Sequence, residues 1–284
     1  MVFLGAMLLS GCTAVQFTYN NAESLARYFA WDYVEPDAQQ SEALQQRVVK
    51  LQQWHRANEL PVYASFLDDV SRRAARGVTR ADVEWVTASL RSTFRRLAAM
   101  AAEEASPILV TLTPQQLDGL ERRLAKDHAK YTRDWLSGSP ARRERRAVER
   151  MVERFEDWTG DLEANQRVLI EKFVRDHPRI AEVRLEDRKR WQRLALEDMR
   201  RLKSTDQLAP RLVKLFSDPD ATRSDDYRNE EGRWESDLAD LIVAIDKTLT
   251  DEQRALVQRR ISRYANDFRE LARGPRRAPQ APGG

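Results

Sequence analysis

"LTPQQLDGLERRL", Leu112–Leu124, decides the fold of this chain. Thr113 suits a helix N-cap, because its side-chain oxygen can accept one of the backbone N–H groups that a helix start leaves without partners. Pro114 follows at the first helical position, where its missing N–H costs nothing. Counted from Gln116, the residues four and eight later are Leu120 and Leu124, which fall on one face of a helix. The pattern returns three times. "LTDEQ", Leu249–Gln253, matches it closely, while "LEANQ", Leu162–Gln166, and "PDAQQ", Pro36–Gln40, keep the glutamine and place an acid second. The +4 and +8 positions are again apolar: Leu44 and Val48, Ile170 and Val174, Val257 and Ile261. Arg47, Arg123 and Arg260 stand at +7 in three of the copies. Gaps of 76, 50 and 87 residues between the glutamines are too irregular for a solenoid. Each copy is expected to be the first helix of a helical hairpin.

Helical periodicity predicts further helices over Ala57–Arg76, Arg80–Ala105, Ala141–Trp158, Arg179–Lys203, Asp206–Phe216 and Ser224–Thr248. Breaks are expected at Gly77, Ser106-Pro107, Ser137–Pro140, His177-Pro178 and Ser217–Asp220. No run keeps a strand's alternation over any length. Ten glycines and 33% charged residues agree with a helical chain. The expected fold is all-α, with eight to eleven amphipathic helices in helical hairpins, extended or bundle-like. In "WHRANELPVY", Trp54–Tyr63, Asn58 suits an N-cap and Pro61 a first turn, so the motif is expected to set a tight hairpin.

The N-terminus supplies an address. Val2–Leu9 is apolar but well short of the roughly 20 residues a membrane-spanning helix needs, and it suits the core of a signal peptide. The tetrad Leu9-Ser10-Gly11-Cys12 contains the only cysteine and resembles a bacterial lipobox. That resemblance implies a diacylglyceryl group on the Cys12 sulfur, cleavage before Cys12, and acylation of the new amino terminus. Several acyl chains anchor a protein stably where one holds it only marginally. Thr13, standing where an aspartate would favour the inner membrane, implies the outer membrane, with the body facing the periplasm. A signal peptide opens with a basic residue, and the first here is Arg27, so the true start is expected upstream of Met1. The expected layout is a signal peptide at 1–11, truncated at its N-terminus; a lipidated segment with a short helix at 12–35; an all-α periplasmic body at 36–273; and a Pro/Gly-rich disordered tail at 274–284. "YNN", Tyr19–Asn21, begins seven residues past Cys12, which keeps the body within about 25 Å of the membrane.

Taken together, the tetrad, "YNN", Asp32-Tyr33 and "WHR..ELPVY" resemble a family of proteobacterial lipoproteins of uncharacterised function, over nearly the whole chain. More locally, Leu112–Gln116 and Leu249–Gln253 are similar to the LTxxQ motif of the Spy- and CpxP-type periplasmic chaperones. That second similarity implies unfolded envelope proteins as clients.

Catalytic constellations do not emerge. His55, His128 and His177 lack a glutamate three residues before them, so the di-iron bundle pattern is missing. There is no His-Glu-x-x-His, no Gly-x-Ser-x-Gly and no phosphate-cradling glycine loop. The chain is expected not to be an enzyme and to need no cofactor or metal. His55 and Glu59, four apart on one helix, can share a ligand or only a hydrogen bond. The seven tryptophans are expected to be core anchors, and Trp54, Trp135, Trp158 and Trp191 are candidates for lining a groove that takes a client or partner. A net charge of +3, from 48 basic and 45 acidic residues, argues against nucleic acid. Basic Ala141–Arg154, six Arg against three Glu, reads as an ion-pair-laced solvated helix face, with anionic lipid or lipopolysaccharide phosphates as the alternative. Acidic Thr222–Asp240 is its counterpart, a candidate to pair with it within the chain or across a dimer. The function expected is that of a non-enzymatic outer-membrane lipoprotein, binding or chaperone-like. The alternative is a structural or assembly lipoprotein with one fixed partner; the oligomeric state stays open.

Overall fold

The computed structural model describes residues 11–218 and 222–274, and it is all-α, with no strand among them. The N-terminal helices are α1 (Gly11–Asn20), α2 (Ala22–Val34), α3 (Ala38–Asn58), α4 (Leu60–Ala75), α5 (Arg80–Leu109) and α6 (Pro114–Tyr131). They are followed by α7 (Pro140–Thr159), α8 (Ala164–Asp176), α9 (Ile180–Arg201), α10 (Thr205–Ser217), α11 (Asp225–Asp246) and α12 (Asp251–Arg273). A short π-helical stretch, Thr132–Leu136, extends α6. These twelve helices exceed the expected eight to eleven, partly because the N-terminal segment forms two helices instead of one.

Two aliphatic cores hold the bundle. One joins α5, α6, α9 and α10 through Ala102, Leu117, Leu196, Met199, Leu208 and Leu212. The other joins α7, α8 and α11 through Val152, Ile170, Phe173, Leu241 and Ile245. Full burial of one such side chain contributes roughly 1.5–3 kcal/mol, so these clusters supply most of the drive to fold. Along a third seam, α4 packs on α12, where buried Ala64 and Ala265 leave room for close approach.

The four repeated helix starts are those of α3, α6, α8 and α12, and they meet in two pairs through their glutamines. Gln40 meets Gln116 and Gln166 meets Gln253, amide to amide. Gln40 Nε2 donates to Gln116 Oε1 at 3.2 Å, and Gln116 Nε2 donates back to Gln40 Oε1 at 2.7 Å. The second pair exchanges the same two bonds at 2.9 and 3.0 Å. Each Oε1 also accepts the N–H of its own N-cap residue: Asp37, Thr113, Glu163 or Thr250, at 2.9 or 3.0 Å. The remaining amide hydrogen goes to the carbonyl two residues before the partner's N-cap. These carbonyls are Thr111 O at 3.1 Å, Glu35 O at 3.2 Å, Thr248 O at 3.0 Å and Asp161 O at 2.8 Å. Every donor and acceptor of all four glutamine amides is thereby used, which a buried amide requires. Glu35, whose carbonyl Gln116 holds, is the one described non-glycine residue with left-handed backbone, at φ 45°.

Three local expectations are corrected. Ser106-Pro107 does not break α5. The proline falls in the last turn, where one lost N–H matters least, and the Ser106 hydroxyl donates to Ala102 O at 2.6 Å. Asn58 does not cap α4 but ends α3. Glu59 between them is helical, its N–H donating to His55 O while its carbonyl accepts from Tyr63 N–H, both at 2.9 Å. The junction is therefore a proline-marked continuation and not a tight hairpin. Finally, the acidic segment on α11 pairs with α9 and α5 rather than with basic α7. Arg184 donates to Glu231 at 2.7 and 2.8 Å, Arg179 to Asp226 at 2.9 Å, and Arg80 and Arg91 reach Asp240 and Glu235. The α7 arginines turn to loop carbonyls, as Arg150 does to Asp134 O at 2.6 Å. Leu9, Ser10, the side chain of Cys12, and the tail from 275 lie outside the described residues.

Candidate functional site

Two of the sequence motifs are brought together by α1. Tyr19, from "YNN", donates its hydroxyl to Gln52 O at 3.2 Å and lies 3.2 Å from His55 Nδ1, while Gln52 Nε2 donates to Tyr19 O at 2.6 Å. Arg56 stacks over the Tyr19 ring and reaches Leu271 O of α12. One turn on from His55, Glu59 is 2% exposed, and Arg96 of α5 grips it with two bonds of 2.9 and 3.0 Å. Burial, together with the charge of the neighbouring Glu59 carboxylate, pushes the Tyr63 pKa up. Burial lowers the His55 pKa, which favours the neutral ring beside Tyr19. His55 and Glu59 thus have separate partners and do not form a shared ligand set. Their chemistry is that of a sealed polar joint between α1, α3, α4 and α5.

A second joint fixes α2. Arg123, the +7 residue of the α6 copy, donates to Asp32 at 2.7 and 3.0 Å and bonds Asp127, and its guanidinium lies over the Tyr33 ring. The Tyr33 hydroxyl donates to Asp127 at 2.6 Å, and burial with that bond pushes its pKa up to about 12. At the corresponding place in the α3 copy, Arg47 binds buried Glu104 at 3.1 Å. In these two copies the recurring arginine ties a repeated helix to a neighbour.

The remaining histidines stand apart. His128 Nε2 is 2.6 Å from Gln192 Oε1. His177 is buried against Phe173, with Nε2 3.2 Å from Asp237, and burial lowers its pKa. Among the described residues, no three His, Cys, Asp or Glu side chains are grouped to hold a metal ion.

None of the seven tryptophans is fully buried. Several seal the bundle's rim beneath a guanidinium: Arg73 over Trp85, Arg150 over Trp135 and Arg184 over Trp234. The four groove candidates do not converge. Trp54 sits half-buried on α3, and Trp135 stacks on Tyr131 in the π-helical stretch. Trp158 is exposed at the end of α7 beside Tyr264, and Trp191 packs on Phe216 and donates to Leu215 O.

Besides Trp158 and Val168, the exposed large apolar side chains fall in two places. Phe17, Tyr28 and Trp31 lie on α1 and α2, and Val62, Leu90 and Phe94 on α4 and α5. Sequence periodicity did not single these out, since an apolar residue on the wrong helix face is visible only once the faces are known. No helix among the described residues is long and apolar enough to cross a membrane.

No curated protein and no solved structure matches the sequence. A match to the DUF6279 family, a family of unknown function, covers residues 32–228, from Asp32-Tyr33 through "WHRANELPVY" and the first three capping glutamines. This chain belongs to the DUF6279 family.

Proposed function

We propose that the chain is an envelope lipoprotein, acylated at Cys12 and held at the outer membrane, whose all-α periplasmic body works by binding protein or envelope components. The observation that carries this is the coupling of anchor to body. Helix α1, described from Gly11 on, is bonded to the body within about two turns of Cys12. Gln16 Nε2 donates to Glu270 of α12 at 2.7 Å, and Tyr19 is held by α3. A lipid on Cys12 would move with the bundle as one piece.

On the body, Val62, Leu90 and Phe94 are the candidate contact surface. The Glu59–Arg96 bonds and the Phe66–Trp85 ring contact set α4 antiparallel to α5, which puts Val62 level with Leu90. Grouped exposed apolar side chains mark contact surfaces more often than scattered ones. A single fixed partner is the second reading, favoured by the full use of all four capping glutamines in the architecture. That use leaves the glutamine amides of the LTxxQ-like motifs no free group for a client.

Cys12→Ala tests the anchor. The native chain is expected to incorporate radiolabelled palmitate and to fractionate with the outer membrane, and the variant to do neither. A native chain without label, or a variant recovered in the outer membrane as fully as the native chain, would overturn the proposal.

A further inference from the structure

Helices α1 and α2 form nearly one rod. Only Asn21 separates them, and the i to i−4 ladder passes through it: Asn21 N–H donates to Phe17 O and Leu25 N–H to Asn21 O, both at 3.0 Å. At 1.5 Å per residue, the rod from Gly11 to Val34 is about 36 Å long. One side is clamped to the body through Gln16, Tyr19, Asp32 and Tyr33. The other side carries Phe17, 69% exposed, Tyr28, 67%, and Trp31, 59%. With 3.6 residues per turn, spacings of eleven and fourteen bring these three rings within about 60° of one another. Exposed Ser24 lies in the same stripe, with exposed Arg27 beside it.

Three aromatic rings left mostly in water on one face forgo the free energy that burying them would give. Tyrosine and tryptophan have an apolar body and a polar tip, which suits the boundary between acyl chains and headgroups. Arginine next to them suits lipid phosphates. The stripe starts five residues, about 7.5 Å along the axis, from Cys12. We propose that the Phe17–Tyr28–Trp31 face of α1–α2 is a membrane contact, lying in the headgroup layer of the bilayer that holds the Cys12 lipid and orienting the body against it. This rests on the acylation of Cys12 proposed above.

The test uses the full chain purified from envelopes, its acylation checked by intact mass, in vesicles of phosphatidylethanolamine and phosphatidylglycerol. A nitroxide is placed on Ser24→Cys, and for comparison on Asn229→Cys of α11, and collisions with oxygen and with a water-soluble nickel chelate are measured. The Ser24 label is expected to be oxygen-rich and shielded from nickel, the Asn229 label to be freely reached by nickel, and Phe17→Ser/Trp31→Ser to raise nickel access at Ser24. An acylated, vesicle-bound chain whose Ser24 label is as open to nickel as the Asn229 label would overturn the contact alone. Spin–spin broadening at Ser24 that survives dilution in lipid would put a second copy on the face and overturn it too. A chain without acyl groups would remove the anchor and the contact together.

Discussion

Gln166→Ala is expected to lower stability by about 4 kcal/mol, since it strips partners from several buried groups at about 1–3 kcal/mol for each. Gln166 is fully buried, and its loss orphans the Glu163 N–H, the Thr248 carbonyl and half of the Gln253 amide. For a body of this size the shift in Tm is roughly 8 °C. The informative companion is Gln166→Glu. A glutamate satisfies a capping box as well as a glutamine does. If the residue served only its own helix, Gln166→Glu would be neutral. In the paired arrangement it loses both amide hydrogens and buries a charge, so it is expected to destabilise as much as alanine. Thermal unfolding of the two variants decides between cap and clasp, and a Gln166→Glu protein within about 0.5 kcal/mol of the native one would refute the clasp.

The second large effect is expected at Arg96. Glu59 is sealed in the joint, and removing a partner from a buried ion pair costs about 3–5 kcal/mol because the other charge is left uncompensated. The Arg96 side chain is 43% exposed, which lets water in and places Arg96→Ala near the lower end, about 3 kcal/mol. Adding Glu59→Gln to Arg96→Ala removes the stranded charge and is expected to recover part of the loss. Urea midpoints measure both, and an Arg96→Ala protein as stable as the native one would mean that the joint is not sealed.

Much of this fold was legible because helix starts are local. Thr113 caps α6 as expected, Thr250 and Asp37 cap the matching copies, and Ile170, Val174 and Ile261 are buried at the expected spacing. Which helices touch was not legible. The Gln40–Gln116 and Gln166–Gln253 contacts span 76 and 87 residues, and nothing local encodes them. One signal was present. All four starts use glutamine at the third helical position, where glutamate caps equally well, and only an amide can both donate to and accept from a twin. Charge runs misled for a related reason. The acids of α11 find arginines wherever geometry puts them, and that is on α5 and α9. The tryptophans misled through size, since a ring too large to bury completely ends at the rim under an arginine.

The functional account rests most directly on what the anchored body touches. The decisive measurement is crosslinking and capture of the native lipoprotein from intact envelopes, with the Cys12→Ala chain at equal abundance beside it. Envelope proteins captured by the native chain and lost from the variant are the predicted result, with one dominant species marking a fixed partner and many minor unfolded ones marking a chaperone-like role. A native chain that captures nothing above background, or a Cys12→Ala chain that captures the same proteins equally well, would contradict the account.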